Sequence, residues 1–534
     1  MAQINVSNLT FCYEGSFDNI FEEVSFSIDT NWRLGFVGRN GKGKTTFLNL
    51  LLGKYEYQGT ISTSTIFDYF PYQISEEQKK QCFSEVMDEL RPESELWKVI
   101  CELEKLGLEA DVLYRPFGTL SHGERTKVML ALLFSDENYF LLIDEPTNHL
   151  DQASRELVKE YLRGKSGFIL VSHDRDLLDA CVDHVLVLNR STIEVQSGNF
   201  SSWWENKKRM DHFNQMENEK HKREIGKLQA AAERTRRWAE QNERTKIGYD
   251  PIKEHDRFIS TRSYIGAKTK KMQSRVKQME ERISNEIAQK EGLLQDIENP
   301  VELKLMPLKH HKEILISARD YGMTYQTNGG KEVLQEFSLE LKQGERVFLQ
   351  GENGCGKSSF LKAVLLHHRE KMLAYQSATG KEDSFGDKKS IELQGSLNRT
   401  DFEERGVLTT ASGLVISYIN QDTSFLKGNL SVFCKQRGLE ESLFKAILRQ
   451  LDFERTQFAK SIEEFSEGQK KKVLIAASLL TQAHLYIWDE PLNYIDVFSR
   501  MQIENLILRY QPTMLVVEHD VRFRDKIATR VVEL

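Results

Sequence analysis

One eight-residue pattern, G-x-x-x-x-G-K-[S/T], occurs twice in this chain, and it works in only one structural setting. The first copy is Gly38, Arg39, Asn40, Gly41, Lys42, Gly43, Lys44 and Thr45, followed by Thr46. The second is Gly351, Glu352, Asn353, Gly354, Cys355, Gly356, Lys357 and Ser358, followed by Ser359. Such a loop cradles phosphate when it joins a buried strand to a helix. Its glycines let backbone N–H groups turn inward, and the helix N-terminus adds a positive dipole end. Around the first copy, the apolar run Leu34 to Val37 precedes the loop and the helical run Thr46 to Leu52 follows it. Lys44 and Lys357 are placed to reach the outer phosphates of a nucleotide, and Thr45 and Ser358 to ligate Mg²⁺. The expected fold around each loop is α/β with a mostly parallel sheet, plus a helical subdomain.

Each loop is followed by polar groups in one fixed order. The apolar run Tyr139 to Ile143 is the length of a buried strand and ends in Asp144 and Glu145; Tyr486-Ile-Trp likewise ends in Asp489 and Glu490. A strand-end carboxylate can hold Mg²⁺ through water and the next can polarise an attacking water. This gives Asp144 and Asp489 a metal role and Glu145 and Glu490 a catalytic one. Gln73 and Gln421 resemble the Q-loop glutamines of ABC proteins, which implies that they sense metal and water, and His173 and His519 resemble the switch histidines, which implies contact with a γ-phosphate. A lone glutamine or histidine is more often structural; these take their meaning from the series. Ahead of the acidic strands stand Leu120-Ser-His-Gly-Glu124 and Phe465-Ser-Glu-Gly-Gln469. Ser121 with Gly123, and Ser466 with Gly468, precede predicted helices whose N-termini can grip a γ-phosphate; the first helical pattern is read over Lys127 to Phe134. Tyr13 lies 25 residues before Gly38 and Tyr325 lies 26 before Gly351, similar to the place where ABC proteins stack an aromatic on adenine, although Phe11 and Phe17 compete with Tyr13.

The spacings identify the two series as copies. Ser121 to Glu145 and Ser466 to Glu490 are both 24 residues; Glu145 to His173 is 28 and Glu490 to His519 is 29. One interval differs: Lys44 to Gln73 is 29 residues, whereas Lys357 to Gln421 is 64. The second copy therefore carries a polar insertion, placed at about 373–410 and expected to be a surface excursion. The expected division is a first ATPase domain at 1–199, a linker at 200–305 and a second ATPase domain at 306–534, with no further domain.

The linker is unlike either copy. Met210, Phe213, His221, Ile225, Leu228, Ala232 and Trp238 recur at three- and four-residue steps, as do Met272, Val276, Met279, Ile283, Ile287, Leu294 and Ile297. Two such stripes predict two helices packed face to face, an antiparallel hairpin. Its tip, about 245–265, holds Gly248 and Pro251. The chain has 73 Lys/Arg against 80 Asp/Glu, a net −7, yet Lys220 to Lys277 has 17 against 7, a local +10. A basic arm on an acidic body suits a polyanion, although a solvated coiled coil would look the same. At the tip, Lys246, Tyr249, Phe258 and Tyr264 offer the cations and stacking faces that grip RNA, or else pin the loop together. No apolar run approaches the ~20 residues of a membrane span. The six cysteines show no paired spacing and the N-terminus no signal-peptide pattern, which suits a cytoplasmic setting.

Two complete cassettes joined by a basic helical hairpin, without a membrane segment, resemble the ABC-F family over essentially the whole chain. Leu120 to Glu124 resembles the LSGGQ signature of ABC proteins, matching at Ser121 and Gly123 and departing at His122 and Glu124. Asp151 and Asp496 resemble the D-loop aspartates. Thr30 to Thr46, Tyr486 to Asp496 and Arg115-Pro-Phe are similar to the Lsa class of antibiotic-resistance members, which shares Leu492-Asn493 and Glu518-His519 where Thr-Asn and Ser-His are usual. Those departures suggest that the two nucleotide sites are not equivalent.

The resemblance implies two tandem ABC-type P-loop ATPase domains joined by a long antiparallel α-helical hairpin linker, with ATP and Mg²⁺ bound in two composite sites. In one, Lys44, Thr45, Asp144 and Glu145 face Ser466 and Gly468; in the other, Lys357, Ser358, Asp489 and Glu490 face Ser121 and Gly123. It implies a monomer with its cassettes paired intramolecularly, associated with the bacterial 70S ribosome. The linker would enter the E site and push its tip toward the P-site tRNA and the 23S rRNA of the peptidyl transferase centre. Phe258 matches the tip aromatic of Lsa-like proteins. The implied outcome is protection against lincosamides, streptogramin A and pleuromutilins, by displacing the drug directly or by remodelling RNA or tRNA. A housekeeping translation factor of the same family is the nearest alternative. The ATPase component of a membrane transporter and a DNA-acting ATPase are more distant ones.

Overall fold

The computed structural model describes residues 2–13, 19–136, 139–148, 150–189, 192–244, 274, 277–279, 281–283, 305–325, 332–379, 402–451, 453 and 455–534. The chain divides into two compact units, Met1–Trp203 with Val301–Leu534, and Trp204–Pro300.

The first unit holds both cassettes, each built on a sheet buried on its two faces. Such strands read as unbroken apolar runs, because neither face meets water. The first sheet runs Ile66–Phe70, Tyr139–Asp144, Phe168–Val171, Arg33–Val37, His184–Leu188, Ile193–Ser197, parallel except for the last pair. The second runs Ile416–Ile419, Leu485–Asp489, Met514–Val517, Arg346–Gln350, Arg530–Glu533, all parallel. In both, the strand feeding the P-loop lies two places from the acidic strand, so loop and carboxylates share one sheet edge. The two-residue side-chain period divides the core. Tyr486 and Trp488 pack into one cluster with the helix Glu467–Leu480, while Leu485 and Ile487 pack into another with Phe360 and Val364 of the helix Lys357–Thr379.

Each cassette adds a three-stranded antiparallel sheet, and here the duplication extends to single backbone angles. The sheets are Phe21–Asp29, Gln3–Phe11, Gln58–Ser62 and Glu332–Lys342, Ile314–Tyr325, Phe402–Thr410. Asn8 and Asp320 both take positive φ, 51° and 49°, where the register shifts. Opposite them, Gly59 and Gly406 have φ of +105° and +77°; a Cβ there would lie 2.5 Å from the Asn8 carbonyl oxygen and 2.1 Å from that of Asp320. These are paired bulges that only glycine fits. The flanks of the polar insertion are regular structure, the helix Lys357–Thr379 and the strand Phe402–Thr410; its remainder, 380–401, lies outside the described residues.

The helix Phe200–Arg244 carries the chain into the second unit. Three exposed pairs at i,i+4, Glu205–Arg209, Glu219–Arg223 and Glu233–Arg237, stabilise its surface with glutamate N-terminal to arginine. Its covered seam differs from the expected stripe. Met210 and Phe213 are 63% and 60% exposed. One run of half-buried or buried positions is Trp204, Lys207, Asp211, Asn214, Asn218, His221, Ile225 and Leu228, with Phe200, Ser201, Trp203, Glu224 and Ala231 covered beside it. That seam keeps strict alternating three- and four-residue steps. Met210 and Phe213 fall one residue short of it, roughly 100° round the helix. Of the second stripe, Met279 is exposed and Ile283 buried; the rest of that stripe, and Lys246, Tyr249, Phe258 and Tyr264, lie outside the described residues.

Gly406→Val forces a Cβ into a backbone carbonyl and a β-branched residue into positive φ. The conformational part alone costs about 1–3 kcal/mol, so scanning calorimetry should show a lowered unfolding midpoint. Gly59→Val should behave alike.

Candidate functional site

Each P-loop closes on a glycine in a conformation and a space that admit nothing larger. Gly43 has φ +106° and a Cβ there would meet Ile20 at 2.5 Å; Gly356 has φ +101° and would meet Val333 at 2.7 Å. Lys44 Nζ donates to the Gly38 carbonyl at 2.7 Å and to Asn40 Oδ1 at 3.2 Å, and Lys357 Nζ donates to the carbonyls of Gly351 and Glu352, both at 2.7 Å. Tyr13 and Tyr325 place their hydroxyls 2.8 and 3.0 Å from Thr46 Oγ1 and Ser359 Oγ.

The expected metal ligands meet in pairs. Thr45 Oγ1 donates to Asp144 Oδ2 and Ser358 Oγ to Asp489 Oδ1, each at 3.0 Å. The other Asp489 oxygen, Oδ2, is buried with no hydrogen-bond partner among the described residues, as suits a cation ligand. The next residue of each strand, Glu145 or Glu490, has positive φ, 52° and 47°. Its N–H still bonds the neighbouring strand, at Val171 and Val517. This sparsely populated backbone turns the carboxylate off the strand line. Glu145 Oε1 lies 3.3 Å from His173 Nε2, and Glu490 Oε1 lies 3.6 Å from His519 Nε2.

Two cavities lie between the cassettes. One, of 530 Å³, is lined by Lys44, Thr45, Asp144, Glu145 and His173 from the first cassette and by Ser466, Gly468 and Tyr494 from the second. The other, of 840 Å³, is lined by Tyr325, Lys357, Ser358, Gln421, Glu490 and His519 from the second and by Ser121, Gly123 and Asp151 from the first. Asn40 Nδ2 donates across to the Tyr494 carbonyl at 2.7 Å. Ser121 and Ser466 are both helix N-caps closed by a capping box, with Glu124 and Gln469 as the returning side chains. Glutamate in place of the usual glutamine therefore keeps this turn, and Arg115 pairs with it at 3.1 Å. The capping box starts that helix at His122, five residues before its apolar pattern begins.

Gln73 is exposed and lines neither cavity, whereas Gln421 Nε2 donates to Glu490 Oε2 at 2.8 Å. Tyr13, 42% exposed, also lines neither cavity, unlike Tyr325. Sequence reading missed several contributors. Tyr69 OH donates to Asp144 Oδ2 at 3.1 Å, and Asn493 Nδ2 to Glu490 Oε2 at 2.8 Å. Lys471, buried, donates to the carbonyls of Asn420 and Glu490, and Lys472 pairs with the buried Asp496 at 3.1 Å. The run Lys470-Lys471-Lys472 after the second signature was their only sequence signal.

The two catalytic candidates sit in different fields. Burial and then the neighbouring Asp144 push the Glu145 carboxyl up to about 8. Burial pushes Glu490 the same way, but His519, Lys471 and Gln421 overcome it and hold that carboxyl at about 2. The departures Leu492 and Glu518 also belong together: Glu518 accepts from the N–H of Leu492 at 3.1 Å and from that of His519 at 2.9 Å.

A family profile described as ABC transporter matches residues 21–148 and again 334–493, more than half of the chain. The chain belongs to the ABC transporter family and carries its ATP-binding ATPase domain twice. The ribosome protection protein VmlR of Bacillus subtilis is 25% identical over 522 residues, covering 96% of this chain and 84% of that protein. The ATP-binding protein Uup of Buchnera aphidicola subsp. Acyrthosiphon pisum is 25% identical over 555 residues, covering 98% and 79%. Among solved structures, archaeal ribosome recycling factor aABCE1, in complex with the archaeal ribosomal stalk protein aP1, matches in fold with a TM-score of 0.57 at 19% identity, covering 98% of this chain and 87% of that one. No described helix is long and apolar enough to cross a membrane.

Glu518→Ala should strip the acceptor from two N–H groups at a buried site. Each orphaned donor costs about 1–3 kcal/mol, so thermal unfolding should fall well below the parent, with Glu518→Gln closer to it.

Proposed function

We propose that this chain is an ABC-F ATPase of the Lsa-like kind, which hydrolyses ATP in two composite sites and protects bacterial ribosomes from drugs bound at the peptidyl transferase centre. One observation carries the reading. Each cavity draws its P-loop, acidic strand end and histidine from one cassette and its signature helix from the other. A nucleotide held there bridges the cassettes, and loss of the γ-phosphate releases them. Thr45 with Asp144, and Ser358 with Asp489, would hold Mg²⁺, which supplies neutralising charge at the phosphates. Glu145 and Glu490 orient and deprotonate the attacking water, and His173 and His519 hold the γ-phosphate. Gln421 fixes Glu490 in place, and Gln73 serves the other site once drawn inward.

The domains are read as 1–199, 200–305 and 306–534, the protein as a cytoplasmic monomer. The linker, fixed at both ends to the cassettes, is aimed by their closure into the E site, toward P-site tRNA and 23S rRNA. The name of VmlR supports ribosome protection, and the +10 charge of Lys220 to Lys277 supports an RNA partner. Lincosamides, streptogramin A and pleuromutilins are the proposed spectrum. Uup, described only as ATP-binding, keeps a housekeeping translation role as the second reading.

Replacing Glu145 and Glu490 together by Gln should slow hydrolysis by about 10²–10⁴-fold and make ribosome co-sedimentation ATP-dependent and persistent; equal sedimentation with and without ATP rejects the proposal. Expression in a susceptible bacterium should raise the inhibitory concentration of a lincosamide and a pleuromutilin and leave that of an unrelated drug unchanged. Phe258→Ala should lower that tolerance with ATPase activity intact.

A further inference from the structure

Away from the cavities, one ion pair crosses between the cassettes in full burial. Arg175 Nη1 donates to Glu504 Oε2 at 3.3 Å and its Nη2 to Oε1, a two-pronged contact. Glu504 is 0% and Arg175 7% exposed, and Lys526 Nζ supplies a second cation to Glu504 at 2.9 Å. Burying charges in this way is seldom favourable for stability alone, whereas removing one partner is strongly destabilising. Such a pair serves position better than stability.

Its position joins the two cavities. Arg175 follows His173 by two residues and opens the helix capped by Asp174. Glu504 lies on the helix Val497–Tyr510, one turn beyond Arg500. Arg500 Nη1 donates to Asp520 Oδ2 at 2.9 Å, and Asp520 is the residue after His519. An unbroken buried path therefore links the histidine of one cavity to that of the other.

In the opposite sense a shallower ion pair crosses, Arg522 of the second cassette with Asp179 of the first at 2.5 Å, and it does not occupy the equivalent positions. Asp151 and Asp496 are matching helix N-caps, and Arg155 and Arg500, four residues on, each donate Nε to the carbonyl just before that cap. Four residues further, Lys159 stands opposite Glu504 and pairs within its own cassette with Asp176 at 2.8 Å. Two residues after the histidines, Arg175 corresponds to Val521. The buried two-pronged bridge thus has no match at the equivalent positions Val521 and Lys159.

We propose that Arg175 and Glu504 are positioning residues that form a buried latch between the cassettes, so that nucleotide retained at one cavity depends on the closure of the other. The proposal rests on reading both cavities as nucleotide sites.

The test uses the full chain carrying Glu145→Gln and Glu490→Gln, loaded with radiolabelled ATP and chased with unlabelled ATP. Adding Arg175→Met or Glu504→Gln should speed release from both cavities by about tenfold or more. The double variant should release no faster than the faster single one, and Arg175→Lys, keeping charge but not the fork, should fall between. Glu504→Gln preserves volume, so the test stands should Arg175→Met not fold. Parental release in the folded variants, or single effects that multiply in the double, overturns the latch; a purely structural pair would move the unfolding midpoint and leave release untouched. A parent that retains no ATP at all overturns the nucleotide-site reading, and the latch with it.

Discussion

Two adjacent carboxylates at the end of a buried strand are the costly feature around which each cassette is built. A charge taken out of water is tolerated only with partners. Within its own cassette, each pair meets a P-loop hydroxyl and a histidine. Tyr69 adds to the first pair and Gln421, Asn493 and Lys471 to the second, and at the first site part of the compensation also crosses the interface. Arg500 of the second cassette steadies Glu145 of the first, and Asp496 favours the charged form of Lys44 against the pull of burial. The acidic strand ends and the packing of the cassettes are therefore one electrostatic problem.

The same coupling explains what could be read from the sequence. P-loops are legible because backbone sterics demand glycine at fixed places, and Gly43 and Gly356 sit where a Cβ would strike a side chain. Strands such as Leu485–Asp489 are legible because both faces are buried. Contacts such as Asn40 to Tyr494, 454 residues apart, and Arg175 to Glu504, 329 apart, leave no periodic trace. The first turn after Ser121 was missed for a similar reason: a capping box, not an apolar period, starts that helix. Met210 and Phe213 misled because hydrophobicity was taken for burial, when seam position decided it.

Similar cassettes have also grown apart. Paired bulges at Asn8 and Asp320 keep the old frame. Yet Glu490 Oε2 is gripped by Gln421 and Asn493, while Glu145 Oε2 accepts only the long 3.4 Å bond from the His173 N–H among the described residues. Glu518 reaches the backbone N–H of Leu492, which a shorter serine would not.

Along the middle of the helix Phe200–Arg244, from Lys207 to His221, the covered positions are lysine, aspartate, asparagine and histidine. Polar groups on a seam fix alignment at the expense of adhesion, since each must find a specific partner. A rod of this make is stiffened by matched dipoles and charges, which respond to ions in the surrounding medium, where a leucine seam would be indifferent to them.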